Sequence, residues 1–335
     1  MTNFLIRRFF SMILVCIGVA TLTFFLAYIV PSDPVRLMLG PKANPAAIAK
    51  MRHEYGLDLP VPLQYLNYLG RLVKGDFGQS IRTDDPVLTD LEVFFPATLE
   101  LTLTSSILII LVAIPLGVLA AMHLGSFFDR ICDLAASSFV GLPIFWSALI
   151  LQLIFYRFLN ILPLDSRIDL VLGPPQHITG LYILDSLMTG DWVRLGSSLQ
   201  HIILPTIALS LSAFAEIFRQ VRANVLETLK SDFVRTARAK GLPARLVIIR
   251  HVLRNSLLPV VTMFGMLLTD LLGGAFIIEW IFNWPGIGMY GLESVLNVDY
   301  PAIVSVTLLV AIICTVVNLI VDLTYKLLDP RIQLN

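Results

Sequence analysis

The sequence predicts an all-α polytopic membrane protein with six transmembrane helices, both termini in the cytoplasm, and a small external region between helices 1 and 2. Three observations carry that expectation. Of 335 residues, 56% are apolar and 14% charged, and the mean hydropathy is +0.81, outside the range of a water-soluble domain. Uncharged stretches long enough to cross about 30 Å of hydrocarbon at roughly 1.5 Å per residue recur along the chain. Lys and Arg gather in the segments that an alternating topology places on one side.

The first span runs uncharged from Phe9 to Val30, too long for a cleaved signal, and reads as a retained anchor. Arg7 and Arg8 before it place the N-terminus inside. Leu101–Met122, Leu134–Tyr156 and Tyr300–Val321 are further uncharged spans. A stretch from about Asn255 to Phe282 is interrupted by Asp270 and Glu279, yet the residues around Asp270 are almost all apolar. Leu195–Phe218 contains His201, Pro205 and Glu216, and charge parity decides its reading. The segment Arg219–Arg254 holds nine Lys and Arg against Glu227 and Asp232, so it belongs inside, which requires a crossing before it. The loop Glu279–Asp299, with no Lys or Arg, then falls outside.

Two external regions remain, Pro31 to about Pro96 and Arg157–Ser198. In the first, Asn44 and Pro45 form an N-cap and first-turn pair, and Gly56 is placed to stop that helix. Leu63, Leu66, Leu69, Leu72 and Val73 make an apolar stripe ending at Gly75. The region is either a cap packed on the bundle or a docking surface for a partner.

Composition also excludes function classes. The formal net charge is zero and nothing supports nucleic-acid binding. Cys16, Cys132 and Cys314 lie in or beside apolar spans and read as small packers, and the five His have no metal-ligand spacing. There is no G-x-x-x-x-G-K-[ST] phosphate loop and no evident Ser/His/Asp set, so the chain is expected to be no enzyme and to bind no cofactor or metal.

Between Ser231 and Pro259 the punctuation is that of two helices joined by a tight turn. Ser231 is placed to cap a short helix, Asp232–Lys240, with Asp232 at its positive end. Gly241 suits the left-handed position that ends it, and Pro243 starts the next. So short a helix needs outside support. Phe233 and Ala237 share one face, and Arg235 and Arg238 another. An apolar knob flanked by positive charge suits a groove on a second protein, and a basic surface helix against anionic lipid is the competing reading.

With RTARAKGL at Arg235–Leu242 and HVLRNSLLPVV at His251–Val261, the sequence resembles the inner-membrane permeases of bacterial binding-protein-dependent ABC importers, in particular their dipeptide, oligopeptide and nickel branch. PSDP at Pro31–Pro34, GLDLP at Gly56–Pro60, GDFGQS at Gly75–Ser80 and PATLEL at Pro96–Leu101 extend the resemblance. PIFW at Pro143–Trp146, HIILP at His201–Pro205, EWIFNWPGIG at Glu279–Gly288, DYP at Asp299–Pro301 and LDPRI at Leu328–Ile332 continue it in order.

The resemblance implies that Phe233, Arg235, Thr236, Ala237, Arg238 and Gly241 form a coupling helix seated in a cytoplasmic ABC ATPase, one or two of which use ATP and Mg. It further implies a second homologous permease subunit, an extracytoplasmic solute-binding protein and a place in the bacterial inner membrane. The domain reading is an anchor helix at 1–30, an external region at 31–96, a permease domain at 97–326 with the coupling segment 219–255, and a cytoplasmic tail at 327–335. Arg235, Thr236 and Ala237 stand where the general signature has Glu-Ala-Ala. Asp165-Ser166-Arg167 departs from the Ser-Gly pair common in peptide members. The cargo stays open among dipeptide, oligopeptide, nickel chelate, opine and sugar.

Two rival classes are an ion-coupled secondary transporter, which would use Asp270, Glu216 and Pro205, and a membrane sensor or scaffold. Neither requires the basic elbow. Around EWIFNWPGIG, Trp280, Phe282 and Trp284 suit an interfacial aromatic belt, whereas Glu279, Trp284, Pro285, Gly286 and Gly288 suit a tight turn acting as an outer gate. Asp270 is expected to face inward, either handling cationic groups on a solute or fastening its span to a neighbour. Glu279, nine residues on, lies about 180° around a straight helix, so the two form no common site.

Overall fold

The computed structural model describes residues 2–29, 44–54 and 58–328. The Pro31–Pro34 match, the helix stop at Gly56, and residues 329–335 of the tail with most of the LDPRI match lie outside the described residues. Among the described residues the chain is helical, with only an isolated bridge between Gln79 and Pro86.

Five helices are long and apolar enough to cross a membrane: Ile6–Phe25 within Thr2–Ile29, Val87–Met122, Trp192–Leu229, Leu258–Ile281, and Tyr300–Val321 within Tyr300–Leu328. The sixth expected span differs from its sequence reading. Leu134–Tyr156 is no straight helix but two arms, Phe127–Val140 and Ile144–Phe158, bent by 113°. Gly141 ends the first arm, and Pro143, extended at ψ 137°, offers no N–H to continue the ladder. The second arm passes at Gln152–Phe158 into a π-helix. Hydropathy does not register such a break, because Gly141, Leu142 and Pro143 carry no charge and apolar residues continue on both sides.

The chain divides into two compact units, residues 1–95 with 290–316 and residues 96–289 with 317–335. In the first, Thr2–Ile29 packs on the Val61–Val73 helix through Thr21 and Tyr65, whose oxygens lie 2.6 Å apart, and through Phe24 against Tyr65 and Tyr68. The expected stripe splits. Leu69 and Leu72 pack around Ala20, Val304 and Leu308, whereas Leu63, Leu66 and Val73 stay exposed. Asn44 Oδ1 accepts the Ala46 N–H at 3.0 Å as a cap, and Gly75 takes a left-handed φ of +77°. The GDFGQS and DYP matches meet here: Ser80 Oγ donates to Asp299 Oδ2 at 2.6 Å, and Asp299 Oδ1 accepts the Ala302 N–H at the start of the last helix.

In the second unit, Trp192–Leu229 is the central helix, packed by Phe127–Val140, Ile144–Leu151, Tyr182–Thr189 and Leu258–Ile281. At 38 residues it is about 57 Å long, well beyond the hydrocarbon thickness, so its basic end with Arg219 and Arg222 runs past the apolar stretch. Gly117 lets the Val87–Met122 helix close on it, since a Cβ there would sit 2.9 Å from the Phe218 carbonyl and Val221. Arg222 binds Asp129 through two bonds, at 2.6 and 2.9 Å, while Ser126 caps the Asp129 helix.

Candidate functional site

Three features of the second unit bear on function: a cavity, a buried carboxylate knot and the elbow. The broken span opens the first. Ile144 and Ser147, just past the bend, line a cavity of ≈ 250 Å³ with Ser212 and Glu216 from Trp192–Leu229 and Asp270 and Gly274 from Leu258–Ile281. Ser212 and Glu216, and likewise Asp270 and Gly274, are four residues apart and so share a helix face. Gly274 permits the close approach of the wall, since a Cβ there would meet Ile144 and Leu209 at 3.2 Å. No Lys, Arg or His stands on the lining, and neither Asp270 nor Glu216 has an ion-pair partner among the described residues. From the sequence, Glu216 counts against its span and, with Asp270, toward the ion-coupled reading, but not as a neighbour of Asp270 in one cavity. Asp270 and Glu216 are 54 positions apart and come together only through helix packing.

The Glu279 carboxylate is the opposite case. It is fully buried and accepts from three donors: the Thr98 hydroxyl on Oε1, and the N–H groups of Gly288 and Met289 on Oε2 at 2.7 and 3.0 Å. Thr98 in turn accepts the Ile287 N–H at 2.8 Å. The carboxylate therefore caps the Ile287–Leu296 helix, where free N–H groups and the helix dipole favour an anion. Gly286 and Gly288 are required by contact, since a Cβ on the first would strike the Glu279 carboxylate and on the second Phe276.

Pro285 and Gly286 lie between Leu258–Ile281 and the Ile287–Leu296 helix that holds Gly288, and Glu279 is fully buried at the root of this turn. The aromatic belt is corrected. Trp280 is exposed, whereas Phe282 and Trp284 are buried, with the Trp284 indole donating to the Ala97 carbonyl at 2.9 Å. Ile287 is buried too, so a label there would read opening of the knot and not of a surface gate.

Beside the knot lies an ion pair that sequence reasoning missed. Arg167 Nη2 donates to Glu100 Oε2 at 2.6 Å and to the Gly180 carbonyl at 2.9 Å, and the guanidinium lies 3.7 Å from the centre of the Tyr182 ring. Glu100 Oε1 accepts the Ile183 N–H at 2.8 Å. Both side chains are buried. The signal was a lone Arg in the departing Asp165-Ser166-Arg167 stretch and a lone Glu at the head of an uncharged span, each needing a partner.

At the elbow the short helix runs Asp232–Ala239, and Gly241 takes φ +75° as expected. Two details are corrected. The Ser231 hydroxyl makes no cap but donates back to the Thr228 carbonyl, leaving the Ser231 carbonyl to accept from Val234 and Arg235. Phe233 and Ala237 do not act as one knob: Ala237 is buried with Val234 in the chain's own core, while Phe233 is 46% exposed. Its neighbours Arg235, Thr236 and Arg238 are exposed as well, and Arg235 makes only a loose contact with Asp232 at 3.4 Å. The chain then continues through a π-helix at Val247–Leu253 toward Leu258–Ile281.

The family of binding-protein-dependent transport system inner membrane components matches residues 113–334, and its N-terminal companion family matches 1–102. The chain is 40% identical over 326 residues to the probable D,D-dipeptide transport system permease protein of Escherichia coli K12, covering 97% of this chain and 96% of that one. It is 40% identical over 333 residues to the dipeptide transport system permease protein of Alkalihalophilus pseudofirmus, covering 99% and 100%. With the oligopeptide transport system permease protein of Bacillus subtilis it shares 37% over 336 residues, covering 99% and 100%. Matched along nearly its whole length, and helical with a bent span and a glycine-ended elbow among the described residues, the chain belongs to the binding-protein-dependent transport system inner membrane components.

Proposed function

We propose that this inner-membrane permease forms half of the translocation path for peptides or solutes of similar size, and that its cavity receives their cationic groups. The observation that carries the proposal is the ≈ 250 Å³ cavity with Asp270 and Glu216 on its wall and no positive side chain to neutralise them. A carboxylate in a span costs roughly 2.5–3.5 kcal/mol by insertion scales, so an unpaired one is retained where water or a passing charge meets it. The three relatives are named for D,D-dipeptide, dipeptide and oligopeptide transport, and a peptide's amino terminus is such a charge.

In this reading a second homologous permease completes the path, an extracytoplasmic solute-binding protein delivers the solute, and one or two cytoplasmic ATPases hydrolyse ATP with Mg. Both termini and the elbow face the cytoplasm. Phe233 enters a groove on the ATPase, Arg235, Thr236 and Arg238 flank it, and Ala237 and Gly241 hold the helix in place. The outer turn of Trp284, Pro285, Gly286 and Gly288 moves as a block when access alternates.

Asp270→Asn keeps the shape of the side chain and removes its charge. The complex should assemble in normal amount and lose uptake of cationic peptides more than of neutral ones, measured as ATP-dependent accumulation in proteoliposomes. Equal loss for every peptide, with poor recovery of the complex, would return Asp270 to helix packing. Uptake that persists without ATP and follows an ion gradient would favour the ion-coupled reading of the same two carboxylates.

A further inference from the structure

Between the bent span and the central helix Arg167 and Asp185 are buried and Asp165 and Asp169 exposed, and several large apolar side chains face outward. From Leu181 to Val193 the only ionisable acids are Asp185 and Asp191. Asp185 is buried beneath the Tyr182–Thr189 helix, where it accepts the N–H groups of Thr179 at 2.8 Å, Gly180 at 2.9 Å and Ile178 at 3.2 Å. Asp191 caps the central helix through the Arg194 N–H and pairs with the Arg194 guanidinium. The large side chains that remain exposed are Leu184, Leu187 and Met188, followed by Trp192 and Val193. A helix facing water would show the reverse pattern.

A second apolar element is pinned at the same level. Asp169 closes a turn by accepting the Val171 N–H on Oδ1, and its carbonyl accepts from Leu172 and Gly173. Arg194 Nη2 and Nε then donate to the carbonyls of Leu172 and Gly173 at 2.9 and 3.3 Å, and Ser197 Oγ accepts the Asp169 N–H at 3.0 Å. The turn is thus held against the first turns of the central helix, with Leu170 84% and Val171 93% exposed at its tip. Arg194 and Ser197 lie within about 8 Å of Trp192 along the axis at 1.5 Å per residue. Trp192 itself stands three residues before the apolar stretch that begins at Leu195, the level at which indoles gather at a bilayer boundary.

Both elements are therefore tied to the first turns of Trp192–Leu229, a helix long and apolar enough to cross a membrane. We propose that the Asp169–Gly173 tip and the outer face of Tyr182–Thr189 form a lipid-contact ledge, inserted at the boundary between headgroups and acyl chains. The occupant is the bilayer itself, which suits exposed Leu, Val, Met and Trp side chains lacking any charge of their own. Every anchor of the ledge is a hydrogen bond within the chain, so the apolar tip is presented rigidly, without needing a partner to order it. Such a ledge would hold the segment beside the bent span against the bilayer while the rest of the permease rearranges.

The test uses the full complex in lipid nanodiscs, with Cys16, Cys132 and Cys314 replaced by Ser and an environment-sensitive fluorophore on Val171→Cys. Expected is strong quenching by lipids carrying a spin label near the headgroup and weak quenching by aqueous iodide, unchanged when the solute-binding protein is added. Strong iodide quenching would overturn the proposal. Protection from both quenchers would assign the ledge to the sister permease, and lipid quenching abolished by the solute-binding protein would assign it to that protein, each of which also overturns it. Leu170→Cys repeats the measurement should Val171→Cys lower recovery of the complex.

Discussion

Asp270 and Glu279 sit on one helix, nine residues apart, and carry the same chemical group to opposite ends. Glu279 is buried, with each oxygen occupied by a donor from its own chain, whereas Asp270 opens on a cavity with no cation to meet it. In lipid a charged group is retained either by being saturated or by being available. The first arrangement fixes three backbone segments as one body, and the second, on the function proposed above, leaves a carboxylate for a solute that passes. The comparison therefore separates a saturated carboxylate from an unsaturated one by hydrogen-bond accounting, without appeal to how polar each residue is.

The largest effect that would break this contrast belongs to the knot. Glu279→Ala strips the acceptor from Thr98, Gly288 and Met289 at once, and hydrogen bonds to a charged group are worth about 1.5–3 kcal/mol each. Recovery of folded complex should collapse, whereas Asp270→Asn should leave its melting temperature almost unmoved. Wild-type recovery of Glu279→Ala would show that the knot is dispensable. Next comes Arg167→Met, which leaves Glu100 buried without its cation, at a cost of about 3–5 kcal/mol for breaking a buried pair. Adding Glu100→Gln to it should restore much of the lost thermal stability, and a double variant no better than the single one would refute the pairing as the cause.

Gly241→Val sits lower on the scale. Nothing lies within 4 Å of a Cβ there, so the cost is the left-handed backbone alone, about 1 kcal/mol or somewhat more. The permease should insert and bind its partners less firmly through the elbow, losing uptake well before it loses stability. Full uptake in membrane vesicles would detach the glycine turn from coupling.

The smallest effect concerns pH. Burial alone would raise the Asp185 carboxyl, but the Thr179 hydroxyl and the amides of Thr179, Ile178 and Gly180 outweigh it and hold the group below its ordinary value. A lowered folded value gives stability that is present above the unfolded value near 3.9 and fades as pH falls through the folded one. Thermal melts should stay flat from neutral pH to about 5 and drop below about 4, and Asp185→Asn should be less stable at neutral pH and flatter below it. An equally steep acid drop in Asp185→Asn would place the titration elsewhere.

What the sequence disclosed followed from local chemistry. The left-handed Gly241, the Asn44 cap and the 180° offset of Asp270 from Glu279 are set by residues within a few positions, and periodicity and turn preference report them. The bend at Gly141–Pro143 was visible in its residues yet masked by their hydropathy, which measures transfer to lipid and is blind to the direction of the axis. The deepest omissions were the partners. Thr98 meets Glu279 across 181 positions and Glu100 meets Arg167 across 67, and no local rule connects them. The elbow shows an intermediate case, since spacing put Phe233 and Ala237 on one side but could not say that the chain's own core had already claimed Ala237.

The knot at Glu279 binds its turn through backbone N–H groups rather than through side chains, and that choice shapes how the segment can vary. At Met289 the bond to Glu279 belongs to the main chain, so any residue except proline preserves it. Gly286 and Gly288 touch the carboxylate and Phe276 with the very space a side chain would fill, so even alanine is an intrusion. A saturation library across residues 286–289 would accordingly show glycine alone at 286 and 288, apolar residues at the buried Ile287 and nearly all residues at 289, where the donor carries no side-chain identity.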